Sequence, residues 1–150
     1  MRTKILLSCL LISAVFLFSC GVTKNAGSGL KEEAVIVEKY WKLTAIEGLK
    51  IQPSETWVRE PHFILKADEN RVNGSTSCNS FFGTYELSEG SRIRFSQLGA
   101  TKMACKDMEL EQQFFKVLEL ADNYTINNDT LYLNKARRAP LAKFEVVYMK

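Results

Sequence analysis

Only one stretch of this sequence keeps a helical period, and it lies between two groups of short strand-like alternations. Leu110, Phe114, Val117, Leu118 and Ala121 recur at i, i+4, i+7, i+8 and i+11, one face of a 3.6-residue repeat. The spacing predicts a single helix from Asp107 to Ala121. Asp107 is expected as its N-cap and Asn123 at its exit. Glu109 and Glu111 fall on different faces and read as solvated first-turn acids that complement the helix dipole, not as an acid/base pair. Immediately before the helix runs Thr101-Lys-Met-Ala-Cys105, which joins it to the strands upstream. At about 1.5–3 kcal/mol per large side chain buried, the apolar face is expected to dock firmly on whatever those strands build.

The strands are short and alternate with period two. Trp41, Leu43 and Ala45 alternate with Lys42 and Thr44, and Phe63 and Leu65 share a face after Pro61. Val72, Gly74 and Thr76 lead into Cys78, and Gly83, Tyr85 and Leu87 follow, then Ile93 with Phe95. After the helix come Tyr124 with Ile126, Leu131 with Leu133, and a last strand through Phe144, Val146 and Tyr148. Asp68-Glu69-Asn70, Ser88-Glu89-Gly90-Ser91 and Asn127-Asn128-Asp129 are turns by composition. Connections this short imply antiparallel neighbours. Gly48 to Glu60 reads as an irregular connection in which Trp57 must find cover. The expected fold is mainly β with one α-helix. It is an antiparallel, part-closed (cracked) β-barrel of about seven or eight strands, with the helix packed over one side or end.

The first residues belong to another layer of information. Arg2 and Lys4 form a positive n-region, and Ile5 to Phe18 is an apolar run shorter than the roughly 20 residues a membrane-spanning helix needs. Residues 1–19 are therefore expected to be a signal peptide. It ends in Leu17-Phe18-Ser19-Cys20, which resembles a bacterial lipobox and implies lipidation of Cys20; the bland alternative is an ordinary leader with a chance cysteine. Acyl chains contribute about 0.8 kcal/mol per buried CH2, enough together to hold a protein on a bilayer. Gly21 after the cysteine favours, by analogy, an outer-membrane protein facing the periplasm. Residues 20–38, with Gly21, Gly27, Ser28 and Gly29 and no period, read as a flexible tether, and the folded domain is expected over 39–150.

Charge and cysteine use follow from that division. The chain has 20 Lys and Arg against 17 Asp and Glu, but two of the basic residues are in the leader, so the mature chain carries a net charge of only +1. The basic balance is thus no signal for nucleic acid. Cys9 leaves with the leader and Cys20 takes lipid, so Cys78 and Cys105 remain. In an oxidising compartment an even pair reads as a disulfide, and closing a loop of about 28 residues is worth about 3–4 kcal/mol. The rival reading is two free thiols, one of them catalytic.

The residues resemble the META domain, the family that includes HslJ-like bacterial lipoproteins. The resemblance is carried by Trp41-Lys-Leu43, Val72-Asn-Gly74 running to Cys78-Asn79, Gly83-Thr-Tyr85, Thr101-Lys-Met-Ala-Cys105, Glu111-Gln-Gln-Phe114 with Leu118, and Asp129-Thr-Leu131-Tyr-Leu133. It implies a mostly β, barrel-like fold with one helix, an envelope location and no established catalytic reaction; the expected partners are the membrane, through the lipid on Cys20, and an envelope protein or lipid. The family shape is also similar to a lipid-binding pilot lipoprotein of secretion systems. The family usually has Gly just before Cys-Asn; here Ser77 stands there, and a positive φ would strain it. Elementary physics supplies structural roles for Gly74, Asn79, Gly83, Tyr85, Thr101 and Met103. The glycines permit a bulge or a close backbone approach, Asn79 can bond its own loop, and Thr101 can bridge strand to helix.

Recognisable catalytic chemistry is sparse. His62 is the single histidine, expected on the surface or rim beside no nucleophile motif. The sequence has no zinc spacing, no dinucleotide or phosphate loop and no other cofactor motif. Lys135, Arg137, Arg138 and Lys143 cluster around Pro140, either to meet anionic lipid headgroups or as a solvated edge that discourages strand pairing. Two non-enzymatic readings lead. One is an envelope lipoprotein with a binding, assembly or stress-tolerance role. The other is a carrier whose interior, lined by Phe63, Phe82, Phe95 and Phe114, holds an acyl chain or other apolar ligand. An enzyme ranks last.

Overall fold

A computed structural model of the chain describes residues 36–106 and 108–148. The expected leader, Cys20, most of the tether and Asp107 lie outside the described residues, and Met108, with no side-chain cap bond, takes the N-cap place expected of Asp107. Among the described residues nine strands run in order: β1 (Tyr40–Ile46), β2 (Leu49–Lys50), β3 (His62–Lys66), β4 (Arg71–Ser75), β5 (Ser80–Ser88), β6 (Arg92–Ala100), β7 (Asn123–Asn127), β8 (Thr130–Asn134) and β9 (Ala142–Val147). A three-turn α-helix, α1 (Glu109–Leu120), connects β6 to β7 among the described residues, and a short 3-10 turn covers Asp68–Asn70. All pairings are antiparallel, and β9 returns to pair with β1 from Tyr40↔Val147 to Ile46↔Ala142, so the sheet closes into a ring.

The ring is tight at most seams and thin at one. β6 and β7 share the single register pair Arg92↔Asn123, supported by backbone bonds Tyr124 N to Ser91 O (2.9 Å) and Ile93 N to Asp122 O (3.3 Å). The part-closed sheet expected from the sequence thus has its weak seam where α1 interrupts the strands.

Packing follows the two periods. Trp41, Leu43, Phe63, Leu65, Val72, Tyr85, Ile93, Leu131, Leu133 and Phe144 point inward and are buried. Phe114, Val117, Leu118 and Ala121 bury the face of α1, with Leu110 packed at its margin. Phe114 sits between Phe81 on β5 and Phe144 on β9, with ring centroids 5.5 and 5.9 Å away. A helix whose apolar face reaches two separate strands is held by the ring rather than by its own propensity.

Three boundaries differ from expectation. The body begins by Ile36, not Lys39: Ile36 is fully buried, its carbonyl accepts from Trp41 Nε1 at 2.8 Å, and Glu38 pairs with Lys66 at 2.7 Å. The stretch expected to be irregular contains β2, because Glu47 and Gly48 at φ 48° and 83° reverse the chain in two residues and return Leu49 beside Ile46. Asn123 opens β7 instead of closing the helix, whose last turn ends with Ala121 N bonded to Val117 O at 3.0 Å.

Candidate functional site

The motif residues converge on one buried polar cluster where the β4–β5 connection meets the segment before α1. Cys78 and Cys105 are joined as a disulfide with Cα atoms 6.1 Å apart, which ties that connection to the approach to the helix. Asn79, almost fully buried, is the hub. Its Oδ1 accepts from Thr101 Oγ1 at 2.7 Å and from Met103 N at 2.8 Å. Its Nδ2 donates to the Glu111 carboxylate at 2.9 and 3.2 Å and to Met103 O at 3.2 Å. A side-chain amide has one acceptor and two donor hydrogens, and all are engaged here.

Glu111 completes the cluster and corrects an expectation. It is buried, not solvated: Oε2 accepts from Thr76 Oγ1 at 2.6 Å and from Asn79 N at 3.2 Å besides the amide. A carboxylate removed from water needs such donors, because an unpartnered buried charge costs several kcal/mol. Glu109, two residues earlier, stays on the exposed side, as expected. No buried side-chain nitrogen or oxygen among the described residues is left without a hydrogen-bond partner.

The other motif residues play local structural parts. A Cβ on Gly74 would lie 2.1 Å from His62 O, and one on Gly83 would lie 2.8 Å from Ser96 O and from a Leu98 methyl. Both positions therefore admit no side chain without moving backbone, and the β5–β6 register shifts beside Gly83, between Phe82 and Thr84. Tyr85 is buried, with its hydroxyl donating to Lys66 O at 3.1 Å. Thr101 bridges the strands: Ser80 N donates to its Oγ1 at 3.2 Å while its own N–H bonds Ser80 O at 3.0 Å. Met103 acts through its backbone, and its side chain is exposed. Ser77 adopts φ 102° while buried, the left-handed geometry that glycine accepts and serine resists.

His62 is also buried, contrary to the rim position expected. It stacks on Tyr40 at 4.2 Å, and its Nδ1 lies 2.8 Å from Glu60 O. Burial lowers its basicity below the usual histidine value. Glu60 links this group together, accepting from Tyr40 Oη at 3.0 Å and pairing with Lys42 at 2.6 Å. Burial, and then the Glu60 carboxylate, push the Tyr40 phenol well above its ordinary range. Strand alternation put His62 in this position: Phe63 faces inward, and the preceding residue packs on β1 through Tyr40.

The four candidate lining residues do not form one surface. Phe82 is 59% exposed and lies over Gly99 on the outside of the sheet. Phe63 meets Phe95 edge-on at 6.1 Å and Phe144 at 4.9 Å, and Phe144 in turn meets Phe114. The three inward rings belong to one aromatic cluster, packed as a protein interior normally is. In the late basic group, Lys135 pairs with Asp122 at 3.2 Å and Lys143 with Glu145 at 2.9 Å. The Ala136 N–H, the Asn123 amide and Lys135 together hold Asp122 down at about 2.

With this geometry described, known proteins can be set beside it. The META domain profile matches residues 34–148. No curated protein sequence matches the chain. Among solved structures, the fold is similar to an NMR structure of a protein from Burkholderia xenovorans, with TM-score 0.64 and 20% identity over 79% of this chain and 88% of that one. It is also similar to a crystal structure of a DUF4847-family protein from Bacteroides vulgatus, with TM-score 0.56 and 15% identity over 76% of this chain and 96% of that one. At such identities the likeness concerns the fold alone. The matched region spans every described strand and the helix, and the chain belongs to the META domain family.

Proposed function

We propose that this protein is a lipid-anchored envelope lipoprotein whose META domain works as a non-enzymatic binding or assembly module. The observation that carries this reading is the saturation of the motif cluster. Asn79 engages both ends of its amide, and Glu111 accepts from Thr76 and Asn79, so the polar atoms a catalyst would offer to a substrate are bonded within the protein. The disulfide fits an exported chain, since such bonds persist in oxidising compartments. The leader followed by Cys20 supports a lipid anchor, and Gly21 after it supports the outer membrane, facing the periplasm. A stress-tolerance role or a pilot-like role in secretion would both use such a module.

The test is fractionation of native envelopes, with intact mass measured on the protein recovered. A mature chain starting at acylated Cys20 in the outer-membrane fraction, and its release from membranes by Cys20→Ala, is the expected result. An unacylated cysteine, or membrane retention unchanged by Cys20→Ala, rejects the anchor. For the cluster, Glu111→Gln is expected to change stability and cellular function together. Loss of function at an unchanged melting temperature and abundance would instead mark Glu111 as catalytic.

A further inference from the structure

On the other side of the ring's first strand, the β1–β2 hairpin and the loop between β8 and β9 face each other across an open cleft of about 800 Å³. We propose that this cleft binds a small anionic amphiphile, a single carboxylate or phosphate head with a short apolar body. The inference rests on the binding-module reading above and names the ligand class for it. The volume falls within the roughly 300–1,000 Å³ of small-molecule sites.

The chemistry is divided as such a ligand requires. Ile51, Pro140, Leu141 and Ala142 supply an apolar wall, and Ala142 is itself buried. The charged groups on the lining are Lys50, Arg138 and Lys143 against Glu47 and Glu145. Lys143 and Glu145 neutralise one another at 2.9 Å. That leaves Lys50 and Arg138, neither held in an ion pair or side-chain hydrogen bond among the described residues, opposed by Glu47 alone. A guanidinium offers a planar fork to two oxygens of one oxyanion, and an ammonium on the same lining adds a point charge.

The frame beneath these groups is fixed. Glu47 N donates to Leu141 O at 2.8 Å, which ties the hairpin to the facing loop, and Ile51 N bonds Thr44 O at 2.9 Å. Thr44 Oγ1 donates to Lys143 O at 3.2 Å across the β1–β9 seam. The β1–β9 register shifts between Leu43 and Ala45, and Thr44 and Ala45 at that irregularity line the cleft. Binding therefore orders two side chains, not a loop, and that lowers its entropic cost.

Equilibrium dialysis tests the assignment on the full lipidated chain in phosphatidylcholine nanodiscs, with empty discs as the blank. The probes are radiolabelled hexanoate, hexyl phosphate, hexanol and inorganic phosphate. At least one hexyl anion is expected to bind saturably, at least about tenfold tighter than hexanol and than inorganic phosphate, and to weaken about tenfold or more in the exposed-site double variant Lys50→Gln/Arg138→Gln. The carboxylate and phosphate arms identify the head group. Hexanol or inorganic phosphate binding as tightly as both anions, unchanged affinity in the double variant, or no saturable binding of either anion up to about 10 mM overturns the proposal. Membrane retention through Cys20 is read separately in the same discs, so failure here is distinguishable from failure of the anchored-module reading.

Discussion

The Asn79 cluster and the β1–β2 cleft are built from the same kinds of side chain put to opposite uses. Around Asn79, polar groups are buried, bonded to one another and locked by a covalent bridge. Around the cleft, Lys50 and Arg138 stand in solvent over an apolar wall with their hydrogen-bonding capacity open. A buried network defines geometry because leaving any member unpaired is costly, whereas exposed charges cost little and remain available to a ligand. The residues that define the family signature are thus concentrated where they hold the fold, and the charged groups of the candidate contact surface lie outside the signature, although Tyr132 belongs to both.

The largest expected effect strikes the first region. Cys78→Ser with Cys105→Ser should lower unfolding free energy by about 3–4 kcal/mol in urea titrations, and reductant should reproduce this on the unmodified protein. A loss under about 1 kcal/mol would mean that the bridge adds little to a cluster already held by hydrogen bonds. Next comes Asn79→Ala, which takes the amide donor from the Glu111 carboxylate, leaving it Thr76 Oγ1 and the residue-79 N–H, and removes the acceptor of Thr101 Oγ1 and Met103 N. It should cost about 3 kcal/mol, and combining it with Glu111→Ala should cost less than the sum of the two.

How far such a cluster can be read in advance is clear from its members. The disulfide was legible as the even pair left once Cys9 and Cys20 are set aside, but Asn79 was expected only to bond its own loop, and its side chain instead reaches Thr101, Met103 and Glu111. Glu111 was not legible: a glutamate in a first helical turn has the same sequence context whether it meets water or a buried amide. Its partners lie 32 and 35 residues away. Phe82 could have been placed correctly, because Gly83, Tyr85 and Leu87 share the inward phase of β5 and the residue one step out of that phase must face outward. The cleft was hidden because two turns far apart in sequence build it, and neither has a period. The basic residues near Pro140 gave half of it.

A smaller effect tests strain in the buried region. Ser77→Gly should raise stability by about 0.5–1 kcal/mol, since glycine takes φ 102° without the penalty serine bears, offset in part by the extra freedom of the unfolded chain. A destabilised variant would show that contacts of the serine side chain outweigh its backbone strain. The smallest effect belongs to the cleft: Lys50→Gln with Arg138→Gln should leave unfolding within about 0.5 kcal/mol of the parent. A larger loss would place these cations in the frame and erase the contrast between the two regions.

The seam between β1 and β9 has a consequence for how the molecule is made. The first long strand made among the described residues is hydrogen-bonded, in the finished protein, to the last, from Tyr40↔Val147 onward. Until residue 147 has emerged, one border of Tyr40–Ile46 stays open to any neighbouring chain. Removing the C-terminal strand β9 would bare two borders at once, on β1 and β8, and leave a half-built sheet open to pairing with another chain.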